Sequence, residues 1–196
     1  MPNRNDRDPR PTPEAESLYR RWIAHLNDEF GRHESPDLRS EIVRDELYQL
    51  YLGRPHGNAR MNNSLTSEMA SWALTESLDP RNATLAPESY AELDPERYAP
   101  RKPLIWFWAM FDRSPLGANL WLGLRLRCML GRHIFQAVGK GVKIYPGVEF
   151  SFGYNLTIED NCTIHAGALL DDRSELILRA GTTVDAGAKV SAGQRS

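Results

Sequence analysis

Cysteine is scarce in this chain: Cys128 and Cys162 are the only two among 196 residues. They are too few and too far apart in sequence for a disulfide framework or a zinc site, so a reduced, cytoplasmic compartment is the simpler reading. Long apolar runs are missing too. A bilayer-crossing helix needs about 20 consecutive apolar residues. The richest stretch here, Leu104-Ile105-Trp106-Phe107-Trp108-Ala109-Met110-Phe111, is broken by Asp112-Arg113 before it reaches that length. Charge of one sign is also lacking. The 24 Lys and Arg stand against 26 Asp and Glu, a net charge of −2 that offers no basic footprint for nucleic acid. There is no Gly-rich phosphate loop, no Cys-Cys or His-Glu metal set, and no serine-centred elbow.

The last third of the chain repeats itself every twenty residues. Ile144-Tyr145-Pro146-Gly147-Val148-Glu149-Phe150 aligns with Ile164-His165-Ala166-Gly167-Ala168-Leu169-Leu170, and both align with Val184-Asp185-Ala186-Gly187-Ala188-Lys189-Val190. Between these blocks, Ile158-Glu159-Asp160-Asn161-Cys162-Thr163 stands over Leu178-Arg179-Ala180-Gly181-Thr182-Thr183 at the same offset. A fixed period with apolar residues in register is the signature of a stacked solenoid. The large residues Ile144, Phe150, Ile158, Ile164, Leu170, Leu178, Val184 and Val190 recur at steps of six, eight and six. Small side chains follow four positions after most of them. Each six reads as a short strand plus a corner, three sides close a triangular coil, and the wider step adds two residues on one edge. Gly147, Gly167, Gly181 and Gly187 fall at corners, where a positive φ suits glycine.

Residues 1–12 are charged and rich in proline, and read as a disordered tail. Residues 13–132 form a helical region. Leu18, Trp22, Leu26 and Phe30 mark an amphipathic helix stopped at Gly31. Ser35-Pro36 then opens a second helix, with Leu38, Ile42 and Leu47, that runs to Gly53. A third runs from about Ser64 to Leu78, with Met69 and Trp72 on one face. Residues 79–102, with four prolines, read as an extended connection with one short turn of helix. In 103–132, Ser114-Pro115 separates two apolar helices. Packed as a hairpin, they would close the open end of the solenoid or meet a neighbouring subunit. A second reading places 104–130 against a membrane surface, with Arg113, Arg125, Arg127 and Arg132 beside the tryptophans.

With the repeat and Phe152-Gly153-Tyr154-Asn155 in view, residues 139–192 resemble the hexapeptide-repeat acyltransferases, in particular the sugar O-acetyltransferase branch that includes galactoside and maltose acetyltransferases. The resemblance implies an α+β chain: a helical N-terminal region, then a left-handed parallel β-helix of about two and a half coils. It implies a homotrimer that transfers an acetyl or related acyl group from acetyl-CoA or another acyl-CoA to a hydroxyl of a sugar or similar acceptor, without a metal. Leu170-Asp171-Asp172 matches the family's acceptor-holding edge, with Asp171 in the matching place. The other reading of Asp171-Asp172-Arg173-Ser174 is a polar corner with both acids turned to water.

The family's catalytic histidine would fall at about Gly193–Arg195, where the chain reads Gly-Gln-Arg and then ends at Ser196. On that register the chain is a shortened form expected to turn over poorly or not at all. Proton removal from a hydroxyl suits histidine. Of the five histidines, His165 is the candidate base, since it follows an inward Ile164 at a corner. His25, His33 and His56 lie in the helical region without a partner at triad or metal spacing, and His133 sits where it would cap a helix C-terminus. The alternative to an enzyme is a non-catalytic oligomerising or scaffolding module that keeps the coil for assembly.

Overall fold

A computed structural model describes residues 9–57 and 69–192. Helix α1 (Pro13–Arg32) begins where Thr12 accepts from the Ala15 N–H and Pro13 occupies the first turn beside Glu14 and Glu16. Gly31 does not stop it; the helix continues to Arg32 and buries Leu26 and Phe30, while Leu18 is 55% exposed. Helix α2 (Pro36–Leu52) ends at Gly53 in the left-handed region, φ 62°. Its core face carries Val43 and Leu47 together with Arg39, and Leu38 points outward. The buried Arg39 guanidinium donates to the carbonyls of Phe30, His33 and Pro100, supplying partners at the carbonyl-rich end of α1.

Helix α3 (Met69–Ser77) buries none of its residues, and Met69 is 66% exposed. The expected start of this helix, 64–68, lies outside the described residues. The connection at 79–102 is more structured than the sequence suggests. Two short 3₁₀ turns, Pro80–Asn82 and Ala86–Ser89, precede helix α4 (Pro95–Tyr98). Asp79-Pro80 and Asp94-Pro95 explain two of them: the carboxylate accepts from backbone N–H groups and the proline supplies a ready first turn.

Helices α5 (Lys102–Arg113) and α6 (Leu120–Ile134) form the expected hairpin. Their apolar side chains are turned into the protein: Leu104, Phe107, Phe111, Leu122, Leu126 and Leu130 are fully buried. Helix α6 packs on the first two strands of the coil, and the Trp108 indole N–H donates to the Val148 carbonyl at 3.2 Å.

Nine short strands follow among the described residues: β1 (Ala137–Val138), β2 (Lys143–Ile144), β3 (Glu149–Phe150), β4 (Leu156–Ile158), β5 (Thr163–Ile164), β6 (Leu169–Asp171), β7 (Leu176–Leu178), β8 (Thr183–Val184) and β9 (Lys189–Ser191). They make three parallel sheets, β1-β4-β7, β2-β5-β8 and β3-β6-β9. Every residue pairs with the one twenty positions on, as in Ala137↔Thr157, Ile144↔Ile164 and Leu170↔Val190. The chain therefore visits the three sheets in turn and descends one tier per circuit. The coil starts at Ala137, two residues before the expected 139, and each sheet holds three strands, so three tiers replace the expected two and a half.

Ile144, Ile164 and Val184 form a buried column, 0%, 0% and 4% exposed, with Cys162 and Ala168 filling the tightening corners. The positive-φ corners are Gly147, Gly167 and Gly187 in one column and Gly141, Asn161 and Gly181 in another. Asparagine is among the side chains that tolerate this conformation best, which is why Asn161 (φ 59°) can stand in a glycine column.

Candidate functional site

The wide edge of each tier runs between the third and first sheets. In the second tier it begins at Asp171, the last residue of β6, and continues with Asp172. Adjacent residues on an extended segment point to opposite sides, and these two aspartates have opposite fates. Asp171 is 9% exposed and turned to the edge surface; Asp172 is fully buried.

The Arg173 guanidinium holds Asp171 in a two-pronged contact, Nε to Oδ1 and Nη2 to Oδ2, both at 2.9 Å. Lys189 Nζ lies 3.8 Å from Oδ2, and the Ser151 hydroxyl is 3.4 Å from Oδ1. Arg173 holds the Asp171 carboxyl below the usual carboxylate range, with a smaller pull from Lys189. Around it is a recess of about 450 Å³, whose polar lining comes from Glu92, Arg173, Ser174, Lys189 and Ser191. Two carboxylates, two cations and two hydroxyls can hold a polar, hydroxyl-bearing molecule by hydrogen bonds. No imidazole lines the recess.

Asp172 is a clamp between tiers. Its Oδ1 accepts the N–H groups of Ser151 and Phe152, each at 2.8 Å, and the Asn155 amide donates to its carbonyl. Its Oδ2 is buried without a partner among the described residues. Burial pushes this carboxyl up, against the opposing pull of the backbone N–H groups. The reading with both acids turned to water fails for Asp172, because the tier above offers two N–H groups that only an acceptor satisfies.

His165 follows β5 and so occupies a different corner. Its ring lies on Tyr145, the residue one tier above, with centroids 5.1 Å apart and planes 30° from parallel. The same register places Asp185 one tier below. His165 lies at the corner before β6 and Asp171 at its far end, so the chain does not bring the two candidates together. Gly193–Arg195, the place expected for the family's histidine, lies outside the described residues. His133 belongs to the last turn of α6, but its role differs from a cationic cap. The imidazole bonds to Asn27 of α1 at 3.1 Å, and burial, with help from Arg39 and Arg132, lowers its pKa.

Phe152-Gly153-Tyr154-Asn155 fastens the connection onto the coil. Phe152 and Tyr154 are buried and stacked, 5.2 Å apart and 6° from parallel. The Tyr154 hydroxyl accepts the Asp94 N–H at 2.8 Å, and Arg97 covers the ring while donating to the Tyr154 carbonyl. Gly153 has φ 78°, and a Cβ there would collide with the Ile134 side chain.

Of the four arginines read as a membrane anchor, Arg127 is fully buried and paired with Asp112, so it faces no surface. Arg113 and Arg132 are exposed, and Arg125 lies over Trp121. No helix among the described residues is long and apolar enough to cross a membrane, and no group of three or more His, Cys, Asp or Glu among them could hold a metal ion.

The resemblance singles out Asp171, but neither Lys189 nor Glu92, which arrives from the connection, is marked as a site residue by the sequence. Set against protein-family models, curated proteins and solved structures, the chain finds no match in any of the three.

Proposed function

We propose that the coil is a left-handed parallel β-helix and that the protein is an acyltransferase. It moves an acetyl or related acyl group from acyl-CoA to a hydroxyl of a sugar or similar acceptor, as a homotrimer in the cytoplasm. The observation that supports this reading is the three-sided parallel coil with its twenty-residue register, carrying an Asp171-centred polar recess on the wide edge.

In this mechanism the acceptor lies in the recess and one of its hydroxyls donates to Asp171. His165 takes the proton of the attacking hydroxyl while its oxygen adds to the thioester carbonyl; the C–S bond then breaks and the thiolate leaves with a proton from the imidazolium. Since His165 and Asp171 occupy different corners of one prism, a site that uses both has to be assembled from neighbouring prisms. That requirement supports the trimer.

The separation of the two residues also favours a second reading, a non-catalytic assembly module. A thiol-release assay with acetyl-CoA and a panel of sugars separates them. Turnover that collapses in His165→Ala supports the transferase. No release with any acceptor leaves the assembly module, and turnover indifferent to both His165→Ala and Asp171→Ala places the chemistry elsewhere in the chain.

A further inference from the structure

Helices α1 and α6 lie side by side and run the same way: Tyr19 meets Trp121 with ring centroids 6.2 Å apart, and further along Phe30 meets His133 at 6.0 Å. Between them is a groove of about 440 Å³. Each helix lines it with residues at i, i+3, i+4 and i+7, from Arg20 to Asn27 on α1 and from Arg125 to Arg132 on α6. This is the spacing that puts four side chains on one helical face. Ile23 and Met129 are part of the apolar floor. Among the described residues the polar groups of the lining are Arg20, Asn27, Arg125 and Arg132, with no carboxylate.

One end of the groove is organised by Trp121. The Arg125 guanidinium is 3.9 Å from its ring centroid and the Arg20 guanidinium 5.1 Å. Arg125 also donates to the Trp121 carbonyl, and Arg20 to Glu16, one turn back on α1 and outside the groove. At a rise of about 1.5 Å per residue, Arg132 and Asn27 lie roughly 10 Å further on. Arg132 brings a positive charge to that end, and with Arg39 it adds to the burial that lowers the His133 pKa. Arg132, in the last turn of α6, complements the helix dipole, but Arg20 and Arg125 sit within their helices where that role does not apply.

We propose that this groove binds a phosphate-bearing ligand, with a phosphate at the Arg20–Arg125 end and a second acceptor group at Arg132 and the Asn27 amide. Planar guanidinium forks match phosphate oxygens, and indole stacking holds two of them in place beforehand. The phosphate has two sources that share this chemistry: a soluble phosphate ester or an anionic lipid headgroup. The site stands on the groove alone and does not depend on acyl transfer.

The test uses the full chain. Calorimetric titration with pyrophosphate and with adenosine 3′,5′-bisphosphate covers the soluble source; co-flotation with phosphatidylcholine vesicles containing phosphatidylglycerol covers the lipid source. We expect binding to at least one probe, weakening as salt rises. It should be reduced about tenfold or more by Arg132→Ala, an exposed position, and by Asn27→Asp, which adds a carboxylate to the groove. Thermal melts confirm that each variant folds. Binding to the soluble phosphates assigns the site to an ester, and binding to the vesicles alone assigns it to a headgroup. Absence of binding to every probe, or binding that both variants leave within about twofold, overturns the proposal.

Discussion

Arg127 and Asp112 form an ion pair at 2.6 Å in which the guanidinium is fully buried and the carboxylate is 11% exposed. The carboxylate spends its other oxygen on the Gly147 N–H at 2.8 Å, so one aspartate ties the helical hairpin to a corner of the coil. Arg127 Nη2 donates to the Gly117 carbonyl, and Gly123 makes room for the head group, since a Cβ there would come within 2.5 Å of Nη1.

This pair should be costly to break and cheap to replace. Removing one partner of a buried ion pair leaves a charge without compensation, an effect of about 3–5 kcal/mol. Arg127→Ala and Asp112→Ala should each lower the denaturant midpoint strongly, whereas Arg127→Met combined with Asp112→Leu should recover much of the loss. Equilibrium unfolding of the four proteins decides the matter; single variants as stable as the parent would contradict it.

Adjacent aspartates should pull stability in opposite directions with pH. Asp172 is raised by burial, so the folded state binds its proton more tightly than the unfolded chain. Its contribution is present below the ordinary carboxylate range and is lost as pH rises through the raised value. Asp171 is lowered by Arg173, so its contribution is present above the ordinary range and lost as pH falls through the lowered value. Asp172→Asn should therefore flatten the fall in stability on the alkaline side of the ordinary range, while Asp171→Asn should flatten the acid side. Thermal melts across pH 2 to 7 measure both slopes, and identical slopes in the two variants would sink the assignment.

Asp172→Ala should be much worse than Asp172→Asn. Alanine strips the acceptor from the buried Phe152 N–H, an effect of about 1–3 kcal/mol, and from the part-buried Ser151 N–H, while asparagine keeps an oxygen in the same place. Denaturation midpoints of the two variants at neutral pH give the comparison.

Corner geometry offers a separate check. Asn161→Ala places an ordinary side chain at φ 59°, which should destabilise by about 1–2 kcal/mol, and Asn161→Gly should be tolerated as in the neighbouring tiers. Gly153→Ala adds a collision with Ile134 to an unfavourable φ and should loosen the connection from the coil. Proteolysis within 79–101 should then become faster; unchanged cleavage argues against the fastening role of this segment.

In the thiol-release assay, His165→Ala should reduce kcat by about 10²–10⁴, the usual contribution of a general base. Asp171→Asn should act mainly through KM for the acceptor. If His165→Ala changes only KM, the imidazole binds rather than removes a proton.

The coil was readable because its register is written in the chain: Ile144, Ile164 and Val184 share both a column and a sequence offset. The hairpin was readable from two apolar helices around Ser114-Pro115. Asp172 was not, since identical neighbouring acids give no sign of which one the pleat turns inward, and its partners are backbone N–H groups with no sequence signature. Arg39 was hidden for the same reason, as carbonyls at the end of α1 draw a charged residue onto the face that periodicity assigns to Leu38. The recess around Asp171 depends on Glu92, a surface-type residue in a segment without periodicity.

A ladder in which every strand meets its partner twenty residues away admits length changes only in whole tiers. Losing one residue from the second tier would exchange inner and outer faces along the strands downstream, since side chains alternate with a period of two. Losing the stretch from 151 to 170 would instead bring Phe150 up to Asp171, returning each later residue to its own column beneath the first tier. A change of sixty nucleotides thus preserves the register of this half of the protein, although this one also removes the Phe152–Tyr154 fastening and the N–H partners of Asp172, whereas a three-nucleotide deletion loses the register itself.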